Sequence, residues 1–360
     1  GNLPASTDID PAETDDDIPS KQFNVVNYTG TGTARSVTGF GFKPDMVWIK
    51  NKASPGDQAP RIVDSSRGVS KAMIPSDGQQ ENTETTAIQT FDNDGFTLGS
   101  VLGGYNTNTG TYVAWGWKAN GGTTSTSTAG TITSTVQANT KSGFSIITYT
   151  GTGSNGTIGH GLSAAPDLVF VKDRGRDENW AVYHSSTGAT KYLTLNTNAT
   201  EYANSNRWND TSPTSTVISL GTNDNVNGST ANYACYAWHN VEGMQKFSTY
   251  NGNGNASGSF VYTGFRPRLV FIKKIAATGH WVVLDTKRGG ETGTVSLTNP
   301  LRKAVDWDED YAEYGTGTRD IEAYSNGFKI RTSDAEINGS EVKYVYGAWG
   351  DVPFKYGNTI

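Results

Sequence analysis

The sequence is poor in cysteine, in charged residues and in long apolar runs. Cys235 is the one cysteine among 360 residues, so the chain cannot form an internal disulfide and must be stabilised by packing. Only 18% of the residues are charged, the net charge is −6, and no cluster of Lys and Arg is present. Contact with a phosphate backbone needs such a cluster, so nucleic acid is not expected as a partner. No apolar run approaches the roughly 20 residues of a membrane span, so membrane insertion is not expected.

Turn-forming residues are abundant instead. The chain has 43 glycines and is rich in Ser, Thr and Asn, which favour turns. The segments between them are short and contain many Val, Ile, Thr and aromatic residues, which favour strands. No stretch has apolar residues at the spacing of a helix face. The composition therefore predicts an all-β fold.

One pattern occurs three times along the chain. Its clearest part is a proline, a short apolar run and a lysine, in "GFKPDMVWIK" (41–50), "SAAPDLVFVK" (163–172) and "GFRPRLVFIK" (264–273). Each copy opens with a glycine-rich turn such as "YTGTG" and closes with an aromatic strand that ends in tryptophan. A repeat of about 100 residues with short strands is typical of a β-sandwich. We therefore predict three tandem β-sandwich domains of jelly-roll or concanavalin-like type, each with its own apolar core.

The domain boundaries follow from changes in composition. The expected segments are an acidic polar tail (1–21), a first sandwich (22–119), a flexible Gly/Ser/Thr linker (120–130), a second sandwich (131–242) and a third (243–360). The second and third sandwiches have almost no linker between them, which predicts a fixed relative orientation. The chain opens on Gly1 rather than Met, which suggests processing or a longer parent protein.

The repeated strand also predicts local structure. A continuous apolar run such as "DMVWIK" is expected of a central strand buried on both faces, and the lysine is expected where the strand reaches water. The sequences "NDG" (93–95) and "SNG" (325–327) predict hairpin turns. Two acid–arginine pairs at the same spacing, Asp64 with Arg67 and Asp285 with Arg288, predict local salt bridges.

No arrangement of residues predicts catalysis. The chain lacks a Gly-x-Ser-x-Gly elbow, a zinc-spaced Cys/His set and a phosphate-binding loop, so we expect a protein that is not an enzyme and has no catalytic residues. His184 stands where the other copies have Asp64 and Asp285. A position that accepts both residue types is expected to need only a hydrogen-bonding side chain.

The densest group of acids in the body is "DWDED" (306–310), in an insert of the third copy. A solvated loop explains it most simply. A calcium site formed by Asp306, Asp308 and Asp310 is the alternative, because Ca²⁺ binds several oxygens at close range. No other cofactor is expected. A pair of acids for sugar hydrolysis, among Asp306, Asp308 and Glu309, is a third possibility.

Two tryptophans lie in long polar inserts and suggest ligand contact. Trp208 is flanked by Arg207 and Asn209, and Trp307 is flanked by Asp306 and Asp308. An aromatic ring among such neighbours can stack on a sugar while the neighbours bond its hydroxyls. We predict these six residues as the ligand-binding set. The alternative is that the two rings fill the space beneath their loops or at a contact between subunits.

Several motifs also resemble a known family. They are "YTGTG", "GFKPDMVWIKN", "GTITSTVQANTKSGF", "YTGFRPRLVFIKK", "SNGFKIRTS" and the ending "PFKYGN". In this order they resemble a repeat-containing family of tail-fibre-type structural proteins from marine and cyanobacterial tailed bacteriophages. Relatives often carry a SPRY-type, concanavalin-like domain upstream, with a junction similar to "NLP" (2–4). The acidic tail and "ASPGDQAP" (53–60) depart from the pattern. The resemblance implies a virion protein and assigns no ligand residues.

Together these observations predict a phage tail fibre or appendage on the virion surface that attaches to a host glycan. Other virion proteins are expected as partners, and a homo-oligomer is expected because symmetry multiplies weak contacts. A capsid decoration or head-fibre protein is one alternative. A glycan depolymerase and a secreted carbohydrate-binding module are the others.

Overall fold

A computed structural model describes residues 14–53, 59–100, 103–288, 300–315 and 317–351. Within these residues the protein is all-β, as predicted, and the named strand pairs are antiparallel. The strands, β1 to β28, form three similar units: unit 1 contains β1–β9, unit 2 contains β10–β19 and unit 3 contains β20–β28. Helix is confined to a 3₁₀ turn at Pro19–Lys21 and to the one-turn helices α1 (Ser205–Trp208), α2 (Asp224–Asn227) and α3 (Ala335–Asn338). No helix in this part of the chain is long and apolar enough to cross a membrane.

Unit 1 consists of a six-stranded and a three-stranded sheet. The larger sheet contains, in spatial order, β1 (Phe23–Thr29), β9 (Thr111–Trp117), β3 (Met46–Asn51), β4 (Arg61–Asp64), β5 (Lys71–Met73) and β6 (Asn82–Thr83). The smaller sheet contains β2 (Arg35–Thr38), β8 (Gly95–Leu98) and β7 (Ile88–Asp92).

Unit 2 consists of an eight-stranded and a two-stranded sheet. The larger sheet contains β10 (Ser125–Ser127), β11 (Ser134–Asn139), β12 (Phe144–Thr150), β19 (Asn232–Trp238), β14 (Leu168–Asp173), β15 (Ala181–His184), β16 (Lys191–Thr194) and β17 (Tyr202–Ala203). The smaller sheet contains β13 (Gly156–Gly159) and β18 (Val217–Leu220).

Unit 3 consists of a five-stranded and a four-stranded sheet. The larger sheet contains β20 (Gln245–Asn251), β28 (Lys343–Gly350), β22 (Pro267–Lys274), β23 (Trp281–Asp285) and β25 (Val305–Asp306). The smaller sheet contains β21 (Phe260–Tyr262), β27 (Gly327–Ile330), β26 (Ile321–Tyr324) and β24 (Pro300–Leu301).

Each unit has an apolar cluster of its own, formed by residues of its two sheets. Val47 and Phe96 belong to the cluster of unit 1, Val169 and Ile218 to that of unit 2, and Val270 and Phe328 to that of unit 3. The units are therefore sandwich-like. The finer assignment to a jelly-roll or concanavalin-like topology stays a prediction.

The cores of the units are not independent, and the expectation that they would be is wrong. The opposite faces of the three large sheets meet in a fourth cluster, which we call the axial core. It contains Met46 and Trp48 of unit 1, Phe170 of unit 2 and Phe271 of unit 3, together with every tryptophan except Trp208. The repeated strand is buried on both faces, as predicted, because its second face packs against the neighbouring units.

Three equivalent tryptophans meet where the closing strands end. The ring centroids of Trp117 and Trp238 lie 6.1 Å apart, those of Trp117 and Trp349 lie 5.6 Å apart, and those of Trp238 and Trp349 lie 6.1 Å apart. The interplanar angles lie between 65° and 78°, so the rings meet edge to face. One residue from each unit thus contributes to a single aromatic contact.

Hydrogen bonds connect each unit to a neighbouring unit through equivalent residues. The Tyr236 hydroxyl of unit 2 donates to Asp64 Oδ2 of unit 1 at 2.7 Å. The Trp115 indole of unit 1 donates to Asp285 Oδ2 of unit 3 at 3.1 Å. These contacts join equivalent positions, so the units form a closed ring with approximate threefold symmetry.

His184 completes this ring between units 2 and 3. Its Nδ1 accepts from the Ser186 N–H, so Nε2 carries the proton and donates to the Tyr346 carbonyl at 3.3 Å. The side chain is fully buried, and burial lowers the pKa of His184 to about 4. The prediction of a purely hydrogen-bonding role agrees with these contacts. Unit 3 has Gly347 at the position of Tyr236 and Trp115, the aromatic residues that donate to an aspartate in the other two contacts. Without that donor, the aspartate is replaced by His184, which donates to a main-chain carbonyl instead.

The predicted linker, residues 120–130, is structured rather than loose. β10 lies within it and pairs with β11. The Gly121 N–H donates to Asp45 Oδ2 at 2.9 Å, and the Gly122 N–H donates to Gln137 Oε1 at 2.8 Å. Buried side chains of units 1 and 2 therefore fix this segment, which composition alone did not reveal.

The three repeated lysines do not reach water, contrary to expectation. Lys50, Lys172 and Lys273 are fully buried, and each ammonium group donates to main-chain carbonyls. Burial lowers the pKa of each to about 8. They lie on the same strand face as the axial-core residues, which places them inside the ring.

A buried asparagine explains the repeated glycine-rich turn. Asn106 accepts from the Thr31 N–H at 2.9 Å and donates to the Thr33 carbonyl at 2.7 Å. Asn227 and Asn338 make the same pair of bonds in units 2 and 3. The turn is thus held by one side chain that reaches it from a distant part of each unit.

Several sequence predictions were local and can be compared directly. The two hairpins are present, with Asp92 opposite Gly95 and Tyr324 opposite Gly327. Arg67 Nε and Asp64 Oδ2 are 2.5 Å apart, and Arg288 Nε and Asp285 Oδ2 are 2.6 Å apart, as the spacing predicted. The "NLP" junction, the ending "PFKYGN" and most of "ASPGDQAP" lie outside the described residues.

Candidate ligand-binding site

The predicted set around Trp208 does not present an aromatic surface. Trp208 is 1% exposed and packs edge-on against Tyr183 in the core of unit 2. Arg207 is also buried, where it lies over the Tyr192 ring at 4.3 Å and donates to Asn223. Asn209 is exposed and accepts from the Asn155 amide. The expectation of an exposed indole here is wrong, because the insert folds over the ring.

Trp307 lies in the axial core and is likewise 1% exposed. Its ring stacks on Trp48 of unit 1, with centroids 4.2 Å apart. In the other two contacts between units, the Trp180 indole donates to the Ile74 carbonyl of unit 1, and the Trp281 indole donates to the Thr194 carbonyl of unit 2. Unit 1 has Pro60 at the position of these tryptophans. The insert of unit 3 therefore supplies the missing indole from the other side of the contact. The alternative reading, a ring that fills a packing gap, is the one that the structure supports.

The acids beside Trp307 are engaged in structural bonds. Asp306 accepts from Arg319 at 2.6 Å and from the Tyr314 hydroxyl at 2.7 Å. Asp308 accepts from the Trp281 N–H at 2.8 Å. Both side chains are buried, so neither is open to a substrate or to an exposed ligand.

The candidate metal set also differs from the predicted one. Among the described residues, the ligand atoms of His280, Asp308 and Glu309 lie within 4.8 Å of one another, whereas Asp306 points to Arg319. His280 Nδ1 is 3.0 Å from Asp308 Oδ2, and this hydrogen bond raises the pKa of His280. A nitrogen ligand does not suit Ca²⁺. We therefore interpret the group as a hydrogen-bonded histidine–aspartate pair, and the calcium site stays a prediction.

An exposed aromatic surface occurs elsewhere, on the small sheet of unit 3. Tyr262 is 59% exposed and Phe260 is 47% exposed, and both lie on strand β21. They alternate with Val261, which points into the core. Tyr324, which is half-buried, lies two strands away on the same outer face. We call Phe260, Tyr262 and Tyr324 the aromatic face.

The strand register places these rings side by side. Tyr262 is opposite Gly327, and Gly327 is opposite Tyr324, so a glycine separates the two tyrosines. A Cβ on Gly327 would lie 2.9 Å from the tip of the Phe260 ring, which therefore extends over the glycine. The centroids of Phe260 and Tyr324 are 5.9 Å apart. The result is a row of neighbouring aromatic rings on the outer face of the sheet, with Lys329 opposite Phe260.

Polar partners hold Tyr324 in position. Its hydroxyl donates to Glu322 Oε2 at 2.6 Å, and Arg331 bonds both groups. The hydrogen bond to Glu322 raises the pKa of Tyr324. Burial alone raises the pKa of Glu322, but the bonds from Tyr324 and Arg331 outweigh it and hold this pKa below its usual value. The ring is thus fixed before any ligand arrives.

A polar groove adjoins the aromatic face at Tyr262. It has a volume of about 380 Å³ and lies where the chain passes from unit 2 to unit 3. Asn240, Glu242, Lys246 and Thr263 line it beside Tyr262. The Lys246 ammonium lies 5.0 Å from the centroid of the Tyr262 ring. An exposed ring beside an amide, a carboxylate and an ammonium can stack on a sugar and bond its hydroxyl groups.

The sequence contained a signal for this surface that was missed. Strands β2 and β21 align through Val37 and Val261, so Ser36 and Thr38 occupy the positions of Phe260 and Tyr262. At these two outward-facing positions the third copy has aromatic residues, whereas the first copy has serine and threonine. The aromatic residues of the long inserts, Trp208 and Trp307, stand out in the sequence, but the inserts bury them.

The chain is thus an all-β protein made of three fused, sandwich-like units. A family model described as a domain of unknown function (DUF7483) matches residues 18–353, and the chain belongs to that family. No curated protein matches the sequence.

Proposed function

We propose that this protein is a non-enzymatic component of a tailed-phage virion that binds a host-surface glycan through unit 3. The observation that carries the proposal is the aromatic face, in which Phe260 and Tyr262 are exposed and which a polar groove borders. An exposed apolar patch of this kind marks a binding site on a soluble domain. The assignment to a phage particle comes from the motif resemblance alone.

The experiment is a binding screen on an array of bacterial surface polysaccharides. A triple variant, Phe260→Ser, Tyr262→Thr and Tyr324→Asp, gives unit 3 the outer-face residues of unit 1. We expect it to lose at least tenfold in affinity, about 1.4 kcal/mol, while its melting temperature stays close to that of the original protein. The control is Tyr202→Ala, which removes an exposed tyrosine from unit 2. Unchanged binding by the triple variant, or no array binding by the original protein, would refute the proposal.

The ring of three units favours one alternative, a capsid decoration or head-fibre protein. A single chain with approximate threefold symmetry suits a threefold position in a capsid lattice. Electron microscopy of particles labelled on this chain separates the two functions. Label at the tail tip supports attachment, and label over capsomers supports decoration.

A depolymerase is less well supported. Of the three acids considered for hydrolysis, Asp306 and Asp308 are buried and bonded, and Glu309 is partly exposed beside His280. They lie in unit 3's contact with unit 1 rather than at the groove. Release of soluble fragments from a bound polysaccharide would revive this function.

A further inference from the structure

We infer that the site binds an internal stretch of a linear polysaccharide with equatorially linked pyranose rings, rather than a sugar at a chain end. This inference rests on the proposed function and specifies its ligand. Its basis is the length, the openness and the chemistry of the surface formed by the aromatic face and the adjoining groove.

The first argument is length. Tyr262 and Tyr324 are separated by strand β27, so their Cα atoms are two strand spacings, about 10 Å, apart. That distance is spanned by two consecutive rings of an extended sugar chain. Phe260 occupies the space between them, over Gly327. A single sugar could contact only part of this surface.

The second argument is openness. The aromatic face is the outer surface of a sheet, and Tyr262 belongs both to this face and to the lining of the groove. The combined surface therefore extends from Glu242 to Tyr324. A site that recognises chain ends needs a closed pocket around the terminal ring, whereas this surface lets a polymer continue in both directions.

The third argument is chemistry. Flat stacking needs a sugar whose substituents lie in the plane of the ring, because an axial group would lift the ring off Phe260 and Tyr262. Equatorial linkages also keep successive rings extended. Asn240, Glu242 and Lys246 can bond sugar hydroxyls at the groove, and Lys329 can do so beside Phe260 on the face. The face itself contributes stacking over the remaining rings.

The test is calorimetric titration with two ladders of probes, cello-oligosaccharides and chito-oligosaccharides of one to six sugars. We expect no measurable binding of the monosaccharides and at least a tenfold gain in affinity between the dimer and the pentamer of one ladder. Tyr324→Asp is expected to remove this gain while leaving the dimer affinity unchanged. Tyr262→Thr is expected to abolish binding of every length, and Tyr202→Ala to change nothing.

The outcomes separate this inference from the proposed function. A monosaccharide that binds as tightly as the hexamer overturns the inference and leaves glycan binding intact. Binding to other polysaccharides on the array with no binding of either ladder overturns the assigned linkage class. Absence of all glycan binding overturns both.

Discussion

Units 1 and 3 share one scaffold and differ on one face. Both hold the glycine-rich turn with a buried asparagine, and both place an aspartate beneath an aromatic donor from the next unit. Their small sheets align row by row, yet the outer row Tyr262, Gly327 and Tyr324 corresponds to Thr38, Gly95 and Asp92. The residues that hold the ring together are retained, whereas residues that face solvent are free to acquire a ligand.

The largest expected effect concerns the contact that closes the ring. Trp307→Ala removes the indole that unit 3 stacks on Trp48, for which unit 1 has no counterpart. We expect a loss of about 3–5 kcal/mol in stability, because a large cavity forms in the axial core. Urea unfolding followed by tryptophan fluorescence measures it. Tyr311→Ala, an exposed residue of the same insert, is the control, and an equal effect of both changes would contradict a central role for Trp307.

The second prediction tests how similar the two units are. Asn106→Ala and Asn338→Ala each remove the two hydrogen bonds that hold the glycine-rich turn. We expect each substitution to lower the free energy of unfolding by about 1–3 kcal/mol. The two losses should agree closely, because the hydrogen bonds are equivalent. Thermal melts of both variants at one protein concentration provide the measurement. A loss confined to one unit would show that the shared turn is not equally important in both.

The third prediction uses a buried lysine common to the units. The pKa of Lys172 is lowered to about 8 by burial, so between pH 8 and about 10.5 the unfolded chain binds a proton that the folded chain does not. The contribution of Lys172 to the free energy of unfolding therefore rises with pH across that window. Relative to Lys172→Met, the original protein should gain stability between pH 8 and pH 10.

Paired denaturant titrations at several pH values check this prediction. The variant Lys141→Met replaces an exposed lysine and should show a constant difference from the original protein. A constant difference for Lys172→Met as well would mean that Lys172 keeps its ordinary protonation in the folded chain.

The smallest stability effect is expected from transplanting the face. Ser36→Phe, Thr38→Tyr and Asp92→Tyr give unit 1 the outer-face residues of unit 3. These positions face solvent, so stability should change by no more than about 0.5 kcal/mol per residue. The number of oligosaccharide sites measured by titration should rise from one to two. A stoichiometry that stays at one would show that the three rings alone do not make a site and that the groove beside Tyr262 is indispensable.

The sequence predicted the class of fold because strand and turn signals are local. The double-sided burial of β3 and β14, the two hairpins and the acid–arginine pairs all follow from residues close together in the chain. The ring did not follow, since the partners of Trp115 and Tyr236 are 170 and 172 residues away. Lysines at a strand end suggested solvent, and only the packing of three units showed that Lys50 and its equivalents are buried.

The site was harder to predict for a related reason. Trp208 and Trp307 stand among polar neighbours in the sequence, and that pattern fits a surface loop as well as a buried ring. Burial depends on how the insert folds back, which neighbouring residues do not specify. Phe260 and Tyr262 alternate with a core residue, so they resemble an ordinary strand until the three copies are aligned on the register of their sheets.

Fusing three units into one polypeptide has a consequence for how such a ring can evolve. In a trimer of identical subunits every substitution occurs three times, and assembly weakens on dilution. Here Trp307, Gly347 and the aromatic face each occur once, and the last contact closes within a single molecule. The scaffold therefore keeps the geometry of a trimer while each third accumulates its own changes.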